Sequence, residues 1–316
     1  EWVIRKDMSM LSDAGVDVLV LDVTNAVRYW DEWEVLFSTM EKMREEGNNT
    51  PQFCFWAFNG EVITVVQQLY ERIYKENKYP DLWFFWDGKP LLLYNADPVH
   101  DANGGCSAYK DGTHDYSDEV KNFFTLRNMW WGYYEWAGKR FIGTEDNWSF
   151  GYSMADPRIK SMTPEQLASK HDGKIEEAAV TPAQHPVTMT DVPMGVGKSW
   201  SKRDGEPKLN EYDLPDSAYV PWLGRKVSDP EGYGIYFQER WDDALAANPQ
   251  FLYLNDWNEW TAGKYNGDVM WLGRKNPFMF VDQYNAEFNR TIQPMKGGYT
   301  DNYYMQMAQN IRRYKG

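Results

Sequence analysis

The chain has 316 residues and a formal net charge of −14. That acidity excludes a general nucleic-acid partner, because binding a phosphate backbone needs clustered Lys and Arg to displace counterions; no run of about 18 apolar residues spans a bilayer. Aromatic residues make up 16% of the chain, with 16 Trp, more indole than a core alone needs and suited to stacking on sugar rings.

The N-terminus "EWVIRKDMSM" lacks a signal-peptide layout, and the expectation is a secreted or periplasmic protein whose leader has been removed. Val3, Ile4, Met8, Leu11 and Ala14 fall on one helical face and Gly15 supplies a stop. "VDVLVLDVTNA" follows, a Val/Leu run of the kind found in parallel strands covered on both faces, ending in Asp22, Thr24 and Asn25. "EVLFSTMEKMREEG" reads as a helix. "PQFCFWAFN" is the next apolar run, closing on Trp56 and Asn59, and "EVITVVQQLYERIYKEN" is an amphipathic helix. Strand candidates "LLLYNAD", "FFTLRNMWWGY", "FIGTEDNWSFGY" and "IEEAAVTPAQHP" come next, then the helix "GIYFQERWDDALAANP" and the strand "FLYLN".

Seven strand candidates alternate with helices, and most end in polar or aromatic residues. That pattern predicts an α/β fold, a (β/α)₈ barrel whose first strand is missing from this stretch of sequence, with its site at the C-terminal strand ends. Residues 1–316 are expected to form one barrel domain with a long surface loop near 190–232 and a C-terminal helical tail. An open doubly wound sheet is the competitor, but no Gly-rich phosphate turn follows an early strand.

On the barrel reading, "NDWNEW", residues 255–260, rims the mouth of the barrel. Asp22, Asp97, Glu145 and Asp146 end other strand candidates. Carboxylates converging from different strands, with indoles between them, are the equipment for glycoside hydrolysis, one carboxyl protonating the leaving oxygen and another attacking or activating water. Asp and Glu at strand ends also cap helices or pair with Arg. Glu259, flanked by Trp257 and Trp260, is the carboxylate least explained that way, since apolar rings desolvate it.

Other motifs fall short. "MGVGKS", residues 194–199, imitates the end of a phosphate-binding loop, but its first Gly would fall on Val192. His100, Cys106 and His114 match no zinc spacing, and Cys54 and Cys106 make neither a disulfide framework nor a CxxC pair; no metal and no cofactor are expected. Gln184 and His185, in "TPAQHP", and Arg127 beside Trp130 and Trp131 suit recognition of sugar hydroxyls or internal structural roles equally well. A Ser-His-Asp system lacks its GxSxG signature.

"DGKPLLLYN" and "YFQERWDDALAANPQFLYLNDWNEWTAGKY" resemble glycoside hydrolase family 99, the endo-acting α-mannosidase group, and its relatives around family 71. The resemblance runs, with gaps, from about residue 16 to 265, and the tail after residue 280 is similar to that of bacterial members of the same superfamily. It implies a (β/α)₈ barrel acting on glycans. The family pattern "EWxEG" has two catalytic Glu; Glu259 matches the first and Ala262 stands in place of the second. The expected activity is therefore two-carboxylate hydrolysis of an oligo- or polysaccharide with Glu259 as one carboxylate and Asp146 or Asp22 as the other. Trp56, Trp148, Trp257 and Trp260 would form a stacking surface, and Asn25, Asn59, Arg127, Glu145, Gln184, His185 and Asn258 would bind the sugar. The alternative is a non-hydrolytic carbohydrate-binding barrel, motivated by Ala262.

Overall fold

A computed structural model describes residues 1–58, 61–98, 115–130, 132, 134–136, 138–184, 188–189, 192–193, 195–261, 264–265, 270–271, 274–275, 279–280 and 283–316. Asn59, His100, Cys106, His114, His185 and Ala262 lie outside the described residues. Contacts divide the chain into two compact units, Glu1–Met129 and Trp130–Gly316.

The first unit is a parallel sheet with helical crossovers. Helix α1 (Trp2–Ala14) buries Met8, Leu11 and Ala14, and ends at Gly15, whose φ of 90° suits a residue without Cβ. Strand β1 (Val18–Asp22) then pairs in parallel with β2 (Gln52–Trp56), from Val18 opposite Gln52 to Asp22 opposite Trp56. Parallel neighbours cannot be joined by a tight turn, and α2 (Trp30–Glu45) makes the crossover, burying Trp33, Phe37, Met40 and Met43. Phe37 stacks on Phe53 of β2 with ring centroids 4.1 Å apart. Helix α3 (Val62–Leu69) buries Val62, Ile63, Val65, Val66 and Leu69, and passes into a π-helical turn at Tyr70–Tyr74. It leads to β3 (Lys89–Tyr94), parallel to β2. Helix α4 (Asp118–Phe123) is capped by Ser117, whose hydroxyl accepts the Val120 N–H. It feeds β4 (Thr125–Trp130), parallel to β3. The apolar runs read as strands form the sheet, with β2 and β3 mostly buried and β1 partly buried.

In the second unit, β5 (Asn147–Ser149) precedes an antiparallel hairpin of β6 (Ser169–His171) and β7 (Lys174–Val180). Strand β7 pairs in parallel with β8 (Phe251–Leu254), from Glu177 opposite Phe251 to Val180 opposite Leu254. Helix α5 (Ile235–Ala247) runs into β8 and buries Tyr236, Phe237, Arg240 and Trp241, while α6 (Asn302–Lys315) forms the expected helical tail.

Two expectations need correction. The strand predicted to close on Glu145 and Asp146 begins after them, at Asn147, because Gly143 and Asp146 both have left-handed backbones (φ 69° and 57°) and Thr144 bonds back to Phe141 in a turn. The surface loop expected near 190–232 contains a buried segment: Val196, Lys198, Ser199, Trp200 and Ser201 are each under 5% exposed. A short hairpin, Ala218–Val220 with Arg225–Val227, follows within that span.

Candidate functional site

Strand β8 is apolar up to Leu254 and then exits into Asn255–Trp260. Asn255 stays in line with the sheet by donating its N–H to the Val180 carbonyl, while its side chain donates to Phe150 O at 3.1 Å. The Asn255–Asp256 peptide is cis. Beyond it the chain leaves the ladder, and its carbonyls are taken up by a second irregular segment: Ile292 N–H bonds Asp256 O at 3.0 Å and Gln293 N–H bonds Trp257 O at 2.9 Å. These bonds pair backbone groups that the end of the strand would otherwise strand in a buried setting.

The same segment fixes the side chains. Gln293 Oε1 accepts both Asn258 Nδ2 at 2.9 Å and Trp260 Nε1 at 2.7 Å, so one carboxamide orients a carboxamide and an indole. Arg290, almost wholly buried, sets its guanidinium over the Phe150 ring and 3.9 Å from the Glu259 carboxylate, which keeps about a third of its surface exposed. Trp260 is partly exposed; Trp257 is half-buried, edge-on to Tyr304. The Trp257 indole N–H is buried and has no hydrogen-bond partner among the described residues. A partly exposed carboxylate with a buried cation behind it and indoles on either side can face a ring-shaped, hydroxylated ligand.

A buried polar layer adjoins this segment. Lys198, from the "MGVGKS" stretch, sits in a turn with its ammonium 4.0 Å and 4.3 Å from the Tyr299 and Tyr303 ring centroids. It does not open a helix as a phosphate-loop lysine does. Burial pushes its amine down to about 7, with the charge of Glu287 opposing. Glu287 accepts the Ser199 N–H at 2.8 Å and hydroxyl at 2.7 Å, and burial pushes its carboxyl up to about 8. A Cβ on Gly197 would stand 2.2 Å from Glu287 Oε1, so the backbone approaches that carboxyl as only glycine permits. Tyr299 donates its hydroxyl to Gln293 O at 3.3 Å, and burial, aided by the Asp256 charge, pushes its phenol up.

Of the residues expected from sequence, the structure brings Trp257, Asn258, Glu259 and Trp260 together. Asp22 does end β1, where its carboxylate accepts the Thr24 N–H at 2.7 Å, and Asn25 beyond it is exposed. Trp56 and Trp148 are fully buried. Neither offers an accessible ring face, which corrects their assignment to a stacking surface. Arg127 is buried and gives its guanidinium to Asp87 at 2.8 Å, and Gln184 is buried with its side-chain oxygen accepting Met154 N–H. Glu145 and Asp146 stand where β5 begins, at the opposite end of the strand from the end expected. Glu145 accepts Gly173 N–H at 3.2 Å and Asp146 contacts His171 Nδ1 at 2.6 Å. Asp146, His171 and Glu176 bring ligand atoms within 4.8 Å of one another. Arg290 and Gln293 were not foreseen; their signal is a run of polar residues, Asn289 to Gln293, broken by apolar Ile292 and preceded by Phe288, where a solvated tail would lack such anchors.

No protein-family model matches the chain, and no curated protein matches it. Among solved structures, two of the family 99 endo-α-mannosidase of Bacteroides thetaiotaomicron are similar to it at 13% identity and a TM-score of 0.48, one of them in complex with bis-tris-propane. Each covers 99% of this chain, which in turn spans 84% and 79% of theirs. Among the described residues, no helix is long and apolar enough to cross a membrane.

Proposed function

We propose that this chain is a glycoside hydrolase acting on an oligo- or polysaccharide, with its chemistry at the exit of β8 and Glu259 as a catalytic carboxylate. The observation that carries the proposal is the setting of Glu259: it is partly exposed, backed by the buried Arg290 guanidinium at 3.9 Å, and flanked by Trp257 and the Gln293-anchored Trp260. A carboxylate in that setting stabilises positive charge developing on a sugar ring or attacks it directly, while the indoles take the apolar C–H faces. Asn258, turned by Gln293, is placed to read a hydroxyl.

Hydrolysis needs a second carboxyl. Asp256 is the group we assign to it, since it is half-buried and leaves the same strand three residues before Glu259. It lies on the same side of the strand ends, whereas Asp146 precedes β5 and is engaged with His171. The (β/α)₈ architecture and an extracytoplasmic location belong to this proposal as well. The barrel is the reading that parallel strands ending in polar residues support.

The test is release of reducing ends from a panel of plant, fungal and bacterial glycans by the parent, Glu259→Gln and Asp256→Asn. Release by the parent that is lost in both variants, with circular dichroism unchanged, supports the assignment. Release surviving in Glu259→Gln overturns the site. Binding without any release from the panel overturns the enzyme reading.

A further inference from the structure

The second unit holds a different cluster at the starting ends of its strands. Three backbone segments build it. The β6–β7 hairpin turns through Asp172 and Gly173, both left-handed (φ 49° and 72°), which sets His171 opposite Lys174. The register then slips, with Ile175 opposite Lys170 and Glu177 opposite Ser169, so Glu176 is an extra residue with none facing it. Bulges of this kind re-aim a side chain. The third segment, 144–147, runs beside β6: Lys170 N–H bonds Thr144 O at 3.2 Å, Asp146 N–H bonds Lys170 O at 2.7 Å, and the Ser169 hydroxyl bonds Asn147 O.

Asp146, His171 and Glu176 meet at this junction, one donor atom from each lying within 4.8 Å of the others. Glu176 is 2% exposed, and its Oε2 accepts the buried Trp148 indole N–H at 2.7 Å. His171 Nδ1 is 2.6 Å from Asp146 Oδ1, and Asp172 Oδ2 stands 3.8 Å from His171 Nε2. Asp146, Asp172 and the dry Glu176 set three carboxylates about one imidazole, a group of donors that a cation can join.

We infer that Asp146, His171 and Glu176 form a binding site for one divalent transition-metal ion of the zinc class, which clips the β6–β7 hairpin to the 144–147 segment. One imidazole nitrogen and two carboxylate oxygens are a standard zinc donor set. Bond lengths of roughly 2.0–2.2 Å place such donors about 3–3.5 Å apart; the cluster reaches this by opening the 2.6 Å His171–Asp146 contact and drawing in its wider donor pairs, which lie within 4.8 Å. The imidazole selects against calcium, which prefers oxygen throughout. The Trp148 N–H on Glu176 is the outer-shell bond that holds a metal-ligating carboxylate in place. The residues sit on a short hairpin, its bulge and the bonded segment beside it, all held by backbone hydrogen bonds.

The test is calorimetric titration of chelator-treated protein with Zn²⁺, in parallel with His171→Ala, Asp146→Asn and a Ca²⁺ control, each checked for folding by circular dichroism. The expected result is one Zn²⁺ per chain, a rise in Tm on binding, and weakening in both variants beyond the roughly 10–100-fold typical of losing an outer-shell partner. Substitution with Co²⁺ should give visible absorption bands that vanish in His171→Ala. The inference is overturned if the folded parent takes up no Zn²⁺, or if both variants bind it as the parent does. Ca²⁺ binding with equal affinity also overturns it, since that is what an unspecific acidic patch gives.

Discussion

Two clusters in the second unit use the same residue types to opposite effect. At the exit of β8, Glu259 sits on irregular backbone braced by another irregular segment, with one buried guanidinium nearby and open surface in front. At the start of β5 and β7, Asp146 and Glu176 are held on ladders and a bulge, crowded onto one imidazole, with an indole N–H closing the back. The first arrangement leaves a carboxylate backed by a guanidinium and reachable, which suits chemistry on a passing ligand. The second converges donor atoms on a point, which suits an ion. Neighbours, more than residue identity, decide which task a carboxylate can perform.

The strongest consequence of that difference falls on Glu259. Glu259→Gln keeps the shape and removes the charge, and loss of one catalytic carboxylate should lower turnover by about 10²–10⁴-fold. The same assay on His171→Ala should show little change in kcat/KM at the temperature of measurement, because that cluster lies at the other end of the strands. Equal losses in the two variants would mean that the clusters act as one site and that the contrast drawn here is false.

The next effect concerns the buried acids behind both clusters. Burial pushes Glu177 up to about 8, against an ordinary value of 4.5; its Oε2 accepts Ser149 N–H, and its Oε1 is buried with no hydrogen-bond partner among the described residues. The folded protein therefore keeps a proton that the unfolded chain releases from about pH 4.5 upward. Stability falls as pH rises through 4.5 to about 8, and Glu287, pushed up to about 8 as well, adds the same slope. Lys198 has the opposite sign above pH 7, where the folded state loses a proton that the unfolded chain holds to about 10.5. The clean window is pH 5 to 7. Glu177→Gln should flatten the fall in unfolding free energy there by on the order of 1.4 kcal/mol per pH unit, measured by denaturant titration at both ends. An unchanged slope would place the proton uptake elsewhere.

Most of the elements were legible because their apolar runs are long and bounded by Gly, Pro or charged residues: α1, β1, β2, α3, β7, α5 and β8 lie where periodicity puts them. The strand near Asn147 was misplaced because periodicity does not register two left-handed residues. Gly143 and Asp146 turn the chain away before the strand begins, and this moves Glu145 and Asp146 to the wrong end of β5 for the role expected of them. Trp56 and Trp148 were over-read for a related reason. An indole in an apolar run is first a core residue, and both are fully buried. The stretch from Asp256 to Trp260 was legible because an apolar strand ended there abruptly in polar side chains. Arg290 and Gln293 were not, since only tertiary contact brings them back from some thirty residues downstream. His171 and Glu176 escaped for the same reason, because a hairpin and a bulge produce their meeting, with no spacing motif to mark it.

The smallest effect sharpens the reading of the β8 exit itself. The carboxamide oxygen of Gln293 holds both Asn258 and Trp260. If those two side chains position a sugar, Gln293→Ala frees them in the unbound protein and binding must order them again. Two hydrogen bonds at about 0.5–1.5 kcal/mol each set the upper range of the cost, so KM should rise by a few-fold and by no more than about 150-fold. The turnover number should change much less, because Glu259 keeps Arg290. A Gln293→Glu variant separates position from charge: its carboxylate still accepts both N–H groups, so KM for a neutral glycan should stay near the parent value. A fall in kcat with KM unchanged in Gln293→Ala would instead place Asn258 or Trp260 at the reacting bond, and would extend the chemistry of this site from the Asp256 and Glu259 carboxyls to the whole Asp256–Trp260 stretch.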